Sequence, residues 1–231
     1  MPRTLFDQEL NRLNADLGEM GRRVDNLMQD AIRCLKNMDV PMARKIYNRD
    51  AEINAMEKSI EQSCMNLLAL QQPLARDLRT ITATLKIITD MERIADQCAD
   101  ICEILYTVSG MASMTASPRM LQMFETARDM FTGALDAYIR GDGSMARDIC
   151  AKDDEVDSLF SASILDLCGQ ITRKVSAVPE HVDFMFIAKY IERMADHATN
   201  IAEWAIFVET GVHPDLNDTL TGTHEEQRSP S

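Results

Sequence analysis

The sequence predicts an all-α protein made of two tandem antiparallel three-helix bundles, six helices in all, related by a pseudo-two-fold internal repeat. Three observations support this fold class. The composition favours helices, because 45% of the residues are hydrophobic but only 5% are aromatic, with few glycines and prolines. Apolar residues recur at alternating steps of three and four over long stretches. Finally, the stretch Tyr190–Trp204 shares six identical residues with Asp90–Glu103 at a constant offset.

The first bundle is predicted over residues 1–108. Apolar residues from Phe6 to Met38 form a heptad pattern, which is typical of a long bundle helix. Asp39 then stands where an N-cap is expected, with a proline in the first turn that follows. The second helix is expected at Met42–Leu70 and the third at Leu74–Thr107, with a proline between them.

The second bundle is predicted over residues 118–213, after a linker of small residues at 109–117. Ser117 followed by Pro118 predicts an N-cap and the first residue of a helix that runs to Arg140. Two further helices are expected at about 144–171 and 178–212. The tail, 214–231, has no hydrophobic period and is expected to be disordered.

The net charge excludes some classes of partner. With 24 basic and 37 acidic residues the formal charge is −13, which argues against nucleic acid and favours cations or a basic protein. No apolar run is long enough for a membrane span, and no signal peptide opens the sequence, so we expect a cytoplasmic protein without membrane insertion. The six cysteines are expected to be reduced and to fill the core.

The repeated stretch carries oxygen-bearing side chains four residues apart. They are Glu92, Asp96 and Asp100 in the first copy, and Glu192, Asp196 and Asn200 in the second. Four residues turn a helix by about 400°, so each row lies on one narrow face. Like charges at this spacing repel one another, and a row written twice therefore indicates a bound positive charge. Glu92 also occupies a position where the apolar pattern of its helix would continue.

The preceding helix of each half supplies further oxygen ligands. Asp50 and Asn54 in the first half match Asp153 and Asp157 in the second, again four residues apart. In a three-helix bundle these side chains can face the acidic rows. Each half would then hold about five oxygen ligands in one cluster, a donor set that suits hard or borderline cations. The alternative is a solvated helix face whose carboxylates pair with nearby Arg or Lys.

The motifs resemble those of the PhoU family of phosphate-signalling regulators. The residues that carry the resemblance are E-R-I-A-D-Q-C-A-D-I at Glu92–Ile101 and Y-I-E-R-M-A-D-H-A-T-N-I-A-E at Tyr190–Glu203. Q-Q-P-L-A-R-D-L-R at Gln71–Arg79 and F-D-Q-E-L-N-R-L at Phe6–Leu13 support it. The resemblance covers about residues 4–212, and its specificity lies in the doubled E-x-x-x-D motif.

This resemblance implies two three-helix bundles with multinuclear metal sites at Glu92/Asp96 and Glu192/Asp196, holding iron, zinc, manganese or magnesium. It implies a negative regulator of phosphate uptake that contacts a phosphate ABC transporter through its ATPase, and a sensor histidine kinase. Asn54 stands where the family often has an acid. His181 and His197 also resemble family positions, and we expect them to act near the metal rather than as its main ligands.

An enzyme remains the alternative, either a metal-dependent phosphohydrolase or a di-iron protein. The sequence lacks the Glu-x-x-His motif of di-iron bundles and any nucleophile motif or glycine-rich phosphate loop. We therefore expect a non-catalytic protein, and a homodimer. The identity of the metal, its occupancy in each half and direct phosphate binding stay open.

Overall fold

The computed structural model describes residues 3–47, 50–71, 73–107, 114–173 and 178–214. These residues form helices and no strands, which confirms the all-α prediction. The helices of the described part are α1 (Arg3–Asn37), α2 (Val40–Tyr47), α3 (Asp50–Gln71), α4 (Ala75–Thr107), α5 (Pro118–Arg140), α6 (Gly143–Cys150), α7 (Asp153–Arg173) and α8 (Val178–Thr210).

The second helix predicted for the second half is interrupted in the structure. In the second half α6 ends at Cys150, and Ala151 and Lys152 form a turn. The Lys152 carbonyl then accepts from the backbone N–H groups of Glu155 and Val156, which starts α7. The break redirects the chain, so that α6 packs on α5 and α8 while α7 packs chiefly on α8. In the first half α2 and α3 likewise pack on α1 and α4, and residues 48–49 between them lie outside the described part.

Two predicted helix starts are confirmed by their caps. The Asp39 carboxylate accepts from the backbone N–H of Met42 at 3.0 Å, at the start of α2. The Ser117 hydroxyl accepts from the N–H of Met120 at 3.1 Å, with Pro118 as the first residue of α5. The predicted linker is described only from Met114 onward, and the predicted tail lies outside the described residues after Pro214.

One hydrophobic core runs through both halves. The heptad residues of α1 lie in it: Leu13, Leu17, Met20, Val24 and Cys34 are buried. Equivalent helices of the two halves pack together, α1 against α5 and α4 against α8. The inter-half contacts thus join like helices, which is the arrangement expected from a pseudo-two-fold repeat.

The contact between α1 and α5 is close and partly polar. Arg128 binds Asp25 at two points, with its Nε 2.6 Å from Oδ1 and its Nη2 3.1 Å from Oδ2. A Cβ at Gly21 would stand 2.1 Å from the Leu135 Cδ2, so the missing side chain lets the helices approach. Between α5 and α4, the buried Tyr138 hydroxyl lies 2.7 Å from the hydroxyl of Thr84.

The cysteines are free, as predicted, but not all of them fill the core. Cys34, Cys64, Cys98 and Cys102 are buried, whereas Cys168 is exposed on α7. Burial raises the pKa of the Cys98 thiol, so this group stays protonated near neutral pH. Within the described residues no helix is both long and apolar enough to cross a bilayer.

Candidate metal centre

The second half brings four of the predicted ligands together across α7 and α8. Asp153 and Asp157 lie one turn apart at the N-terminal end of α7, and Glu192 and Asp196 lie one turn apart on α8. The two helices pack on each other, and across them Asp196 lies near enough to raise the pKa of Asp153, as Glu192 does that of Asp157. We call Asp153, Asp157, Glu192 and Asp196 the second-half acidic cluster.

Burial, and then repulsion within this cluster, raises the pKa values of its three aspartates. Burial, followed by the carboxylates of Asp196 and Asp157, raises the pKa of Asp153 to about 6. Partial desolvation and then Glu192 raise the pKa of Asp157, and the same two causes raise that of Asp196. The cluster is therefore short of positive charge.

Lys189 supplies part of that positive charge. Its ammonium group pairs with the Glu192 carboxylate and lowers the pKa of both Asp157 and Asp196. It also lies 5.6 Å from the centre of the Phe160 ring. Lys189 is not among the groups that act on the pKa of Asp153, where the Thr199 hydroxyl alone opposes burial and the neighbouring carboxylates.

The first half carries fewer negative charges at the matching positions. Glu92 and Asp96 lie on α4, and Arg93 reaches both of them at 3.5 Å. Asn54 is half-buried on α3 and is neutral, where the second half has Asp157. Asp50 begins α3, but its side chain lies outside the described part. The two halves are therefore alike in fold and different in charge.

Glu57 adds a carboxyl group to the first half that the motif comparison had not selected. Burial, and then the neighbouring Glu61, raises its pKa. The Thr89 hydroxyl approaches it at 3.5 Å. The equivalent position in the second half is Phe160, so this carboxyl group has no counterpart there.

The third residue of each acidic row lies where the two halves meet. The Asn200 side-chain amide donates to Asp90 Oδ1 at 3.2 Å, between α8 and α4. Asp100 lies close enough to Tyr190 to raise its pKa, after burial of that phenol. Asp90 and Tyr190 are equivalent in the repeat, so these are two versions of one contact. The structure thus places Asn200 and Asp100 at the junction of the halves, beside the opposite bundle.

The two histidines that were predicted near the metal, His181 and His197, lie apart from each other. His197 Nδ1 is 2.8 Å from Asp90 Oδ1, so the ring joins α8 to α4. His181 is buried, and its Nε2 lies 3.2 Å from Gln170 Oε1. It precedes Glu192 by eleven residues, about 16 Å of helical rise. The structure therefore separates His181 from the acidic cluster and gives His197 a partner in the other half.

The carboxylates of the second half fit a hard cation by their chemistry. They offer only oxygen donors, and the raised pKa values show that added positive charge would stabilise them. Among the described residues, however, no three His, Cys, Asp or Glu side chains converge closely enough to hold a metal ion. The predicted metal ligands therefore stay a prediction.

Sequence reasoning missed Asp90 and Lys189. Asp90 precedes Glu92 by two residues, about 200° around the helix, so it faces a different neighbour from the acidic row. Lys189 precedes Glu192 by three residues, which is a spacing for an ion pair on one helix face. The role of Lys189 could have been predicted from its spacing, whereas the role of Asp90 depends on how the two halves pack.

A helical unit present twice, with an acidic row on its last helix, defines a class of two-repeat all-α proteins. Comparison with known proteins assigns the chain within that class. The family model for the PhoU domain matches residues 17–105 and 120–205, one match in each half. The chain belongs to the PhoU family.

Relatives match along nearly the whole chain. The "Phosphate-specific transport system accessory protein PhoU homolog" of Clostridium acetobutylicum is 34% identical over 94% of this chain and 100% of its own length. The homolog from Streptococcus pneumoniae serotype 4 is 30% identical, over 93% of this chain and 100% of its own.

Two crystal structures share the fold. The "phosphate transport system regulatory protein PhoU" of Streptococcus pneumoniae has a TM-score of 0.85 and 29% identity, covering 91% of this chain and 100% of that one. PhoU of Pseudomonas aeruginosa has a TM-score of 0.83 and 29% identity, covering 90% of this chain and all of that one. These matches confirm the resemblance and the fold class.

Proposed function

We propose that this protein is a phosphate-transport accessory protein that restrains phosphate uptake and phosphate-responsive signalling from the cytoplasm. The observation that carries this proposal is the match over more than nine-tenths of the chain to relatives named as phosphate-specific transport system accessory proteins. Its partners would be the ATPase of a phosphate ABC transporter and a sensor histidine kinase. The formal charge of −13 supports contacts with basic protein surfaces.

We further propose that the acidic rows bind metal ions. In the second half Asp153, Asp157, Glu192 and Asp196 would hold the ion, with iron, manganese, magnesium or zinc as candidates. A bound cation would supply the positive charge that Lys189 supplies only in part. The protein's own contribution is to hold two carboxylate pairs on packed helices, so that metal binding fixes α7 against α8.

A regulatory rather than catalytic role is favoured by the contents of the cluster. Its carboxylates come without the Glu-x-x-His motif of di-iron bundles, which the sequence lacks throughout. The competing function is a carboxylate-bridged metalloenzyme. Turnover of a phosphoester or of oxygen by the metal-loaded protein, lost in Glu192→Gln, would establish that alternative and displace the regulatory one.

Two measurements test the proposal separately. Elemental analysis of purified protein is expected to show metal in stoichiometric amount, reduced by Asp153→Asn with Glu192→Gln. The control Asp148→Asn, at an exposed position of α6, should leave it unchanged. A metal content at background would end the metal proposal.

The partner proposal is tested with membranes. The immobilised protein should retain the transporter ATPase and the sensor kinase from membranes of phosphate-rich and phosphate-starved cells, to different extents. If neither the ATPase nor the kinase is retained under either condition, the regulatory role is refuted, whatever the metal content.

A further inference from the structure

A groove with apolar walls lies between α7 and α8. Phe160, Ile164 and Leu165 line it from α7, and Val182, Met185 and Phe186 line it from α8. Its volume is about 660 Å³. Leu165 is 73% exposed and Phe186 is 54% exposed, so these side chains are not part of the core. We call this surface the α7–α8 groove.

The first half shows that the fold does not require this apolar surface. Its equivalent helices, α3 and α4, carry polar residues at five of the six matching positions: Glu57 for Phe160, Glu61 for Ile164, Gln62 for Leu165, Thr82 for Val182 and Lys86 for Phe186, whereas Leu85 matches Met185. The same packing of helices is thus made with a charged outer face. Because exposed apolar patches are otherwise unfavourable in water, the difference indicates that the second half binds something there.

One end of the groove is acidic. There Lys189, which lines the groove against Phe160, pairs with Glu192 of the second-half acidic cluster. The four carboxyl groups of that cluster outnumber this one ammonium group. An occupant must therefore present apolar groups to the middle of the groove and positive charge to this end.

We propose that the α7–α8 groove binds an amphipathic, basic α-helix of a partner protein. The groove follows Phe160–Leu165 and Val182–Lys189 over about 10 Å, which two turns of a helix span. Apolar residues at i, i+3, i+4 and i+7 would fill it. This inference goes beyond the proposed function, which assigns no role to the groove, and its charge argument applies to the metal-free protein.

Charge argues against two other occupants. A second copy of the chain carries the same formal charge of −13, so the two copies repel each other. The chain's own C-terminal segment, 215–231, contains Asp215, Asp218, Glu225 and Glu226 against one arginine, so it has the same sign as the acidic end of the groove. A basic helix has the opposite sign.

The test uses a fluorescein-labelled synthetic peptide of about 14 residues, with leucine at the four apolar positions and lysine on the polar face. Anisotropy titration of the full chain in EDTA should give saturable binding. Phe186→Asp and Leu165→Asp should each weaken it at least about tenfold, or about 1.4 kcal/mol. Met65→Asp, a matched control that is 52% exposed on α3, should change it less than about twofold. A glutamate version of the peptide should bind at least about tenfold more weakly.

Several results would overturn the proposal. Binding that is unchanged in both groove variants, with native circular dichroism, would place the peptide elsewhere. If removal of residues 215–231 tightens peptide binding about tenfold, the chain's own tail covers the groove. A dimer of the wild-type chain that dissociates on Phe186→Asp would make a second copy the occupant. Binding to phosphatidylcholine vesicles that is lost in Phe186→Asp would assign the groove to a lipid surface.

Discussion

Asp153→Asn should stabilise the metal-free protein at neutral pH. The native fold raises the pKa of this carboxyl from its ordinary value of 3.8 to about 6. A difference of about two pKa units corresponds to about 3 kcal/mol without solvent screening. Because Asp153 is half-buried, screening reduces this to about 1–2 kcal/mol. Asparagine also loses a favourable charge in the first turn of α7, worth about 0.5 kcal/mol. The expected net gain is about 1 kcal/mol.

The pH dependence distinguishes the cost of ionising Asp153 in the native fold from other causes of a change in stability. Between about pH 4 and pH 6 the native wild-type protein holds the Asp153 proton while the unfolded chain has lost it. Its stability therefore falls as the pH rises through this window. The advantage of Asp153→Asn should be near zero at pH 4 and complete above pH 6.

Urea denaturation in EDTA at pH 4.0 and pH 7.5 measures this difference. Asp148→Asn, at an exposed position of α6, is the matched control and should show no such change with pH. A variant that is less stable than wild type at pH 7.5, or one whose advantage is the same at both pH values, would refute the reasoning. Adding a binding metal should reverse the order, because wild type then uses the carboxylate.

Three substitutions test contacts between and within the halves by urea denaturation. Asp25→Asn removes the two-point ion pair with Arg128, and since both groups are about three-quarters buried it should cost about 1–2 kcal/mol. Thr84→Val removes one partner of the buried Tyr138 hydroxyl and should cost about 1 kcal/mol. Asp142→Ala removes the N-cap that accepts from two backbone N–H groups of α6, at a cost of about 1 kcal/mol.

A control exists for the ion-pair prediction. Asp136 and Arg140 form an exposed pair within α5, and Asp136→Asn should cost less than about 0.5 kcal/mol. Equal costs for Asp25→Asn and Asp136→Asn would show that the α1–α5 contact adds nothing beyond a surface pair. For Thr84→Val and Asp142→Ala, a stability within about 0.3 kcal/mol of wild type would contradict the assigned role.

The fold class followed from local patterns that a sequence shows directly. The heptad of α1 predicted its buried face, because a long helix must turn one side to the core. Asp39 and Ser117 marked two helix starts, because their side chains satisfy backbone N–H groups close by in sequence. The break between α6 and α7 was not predicted, since the apolar period continues across Ala151 and Lys152.

The residues of the site within one half were predictable from the sequence, whereas the contacts between the halves were not. Glu192 and Asp196 were found from their four-residue spacing, and Asp153 and Asp157 from the repeat. The contact of Asn200 and His197 with Asp90 depends on which faces of α4 and α8 meet, and spacing within one helix carries no such information. The difference in charge between the halves was visible at Asn54, but the pairing of Glu92 and Asp96 with Arg93 required side-chain positions.

The contact of His197 and Asn200 with Asp90 has a mechanical consequence. The helix that carries Asp196 toward the second-half acidic cluster also carries these two side chains toward the other half. Because α8 is one continuous helix, a ligand that rotates it at the cluster also moves His197 and Asn200. Such a ligand must therefore change their contacts with Asp90 on α4. By thermodynamic linkage, a ligand in one bundle that changes the affinity of the other bundle must have its own affinity changed by the same factor. If metal ions bind in both bundles as proposed, their binding should therefore be cooperative rather than independent.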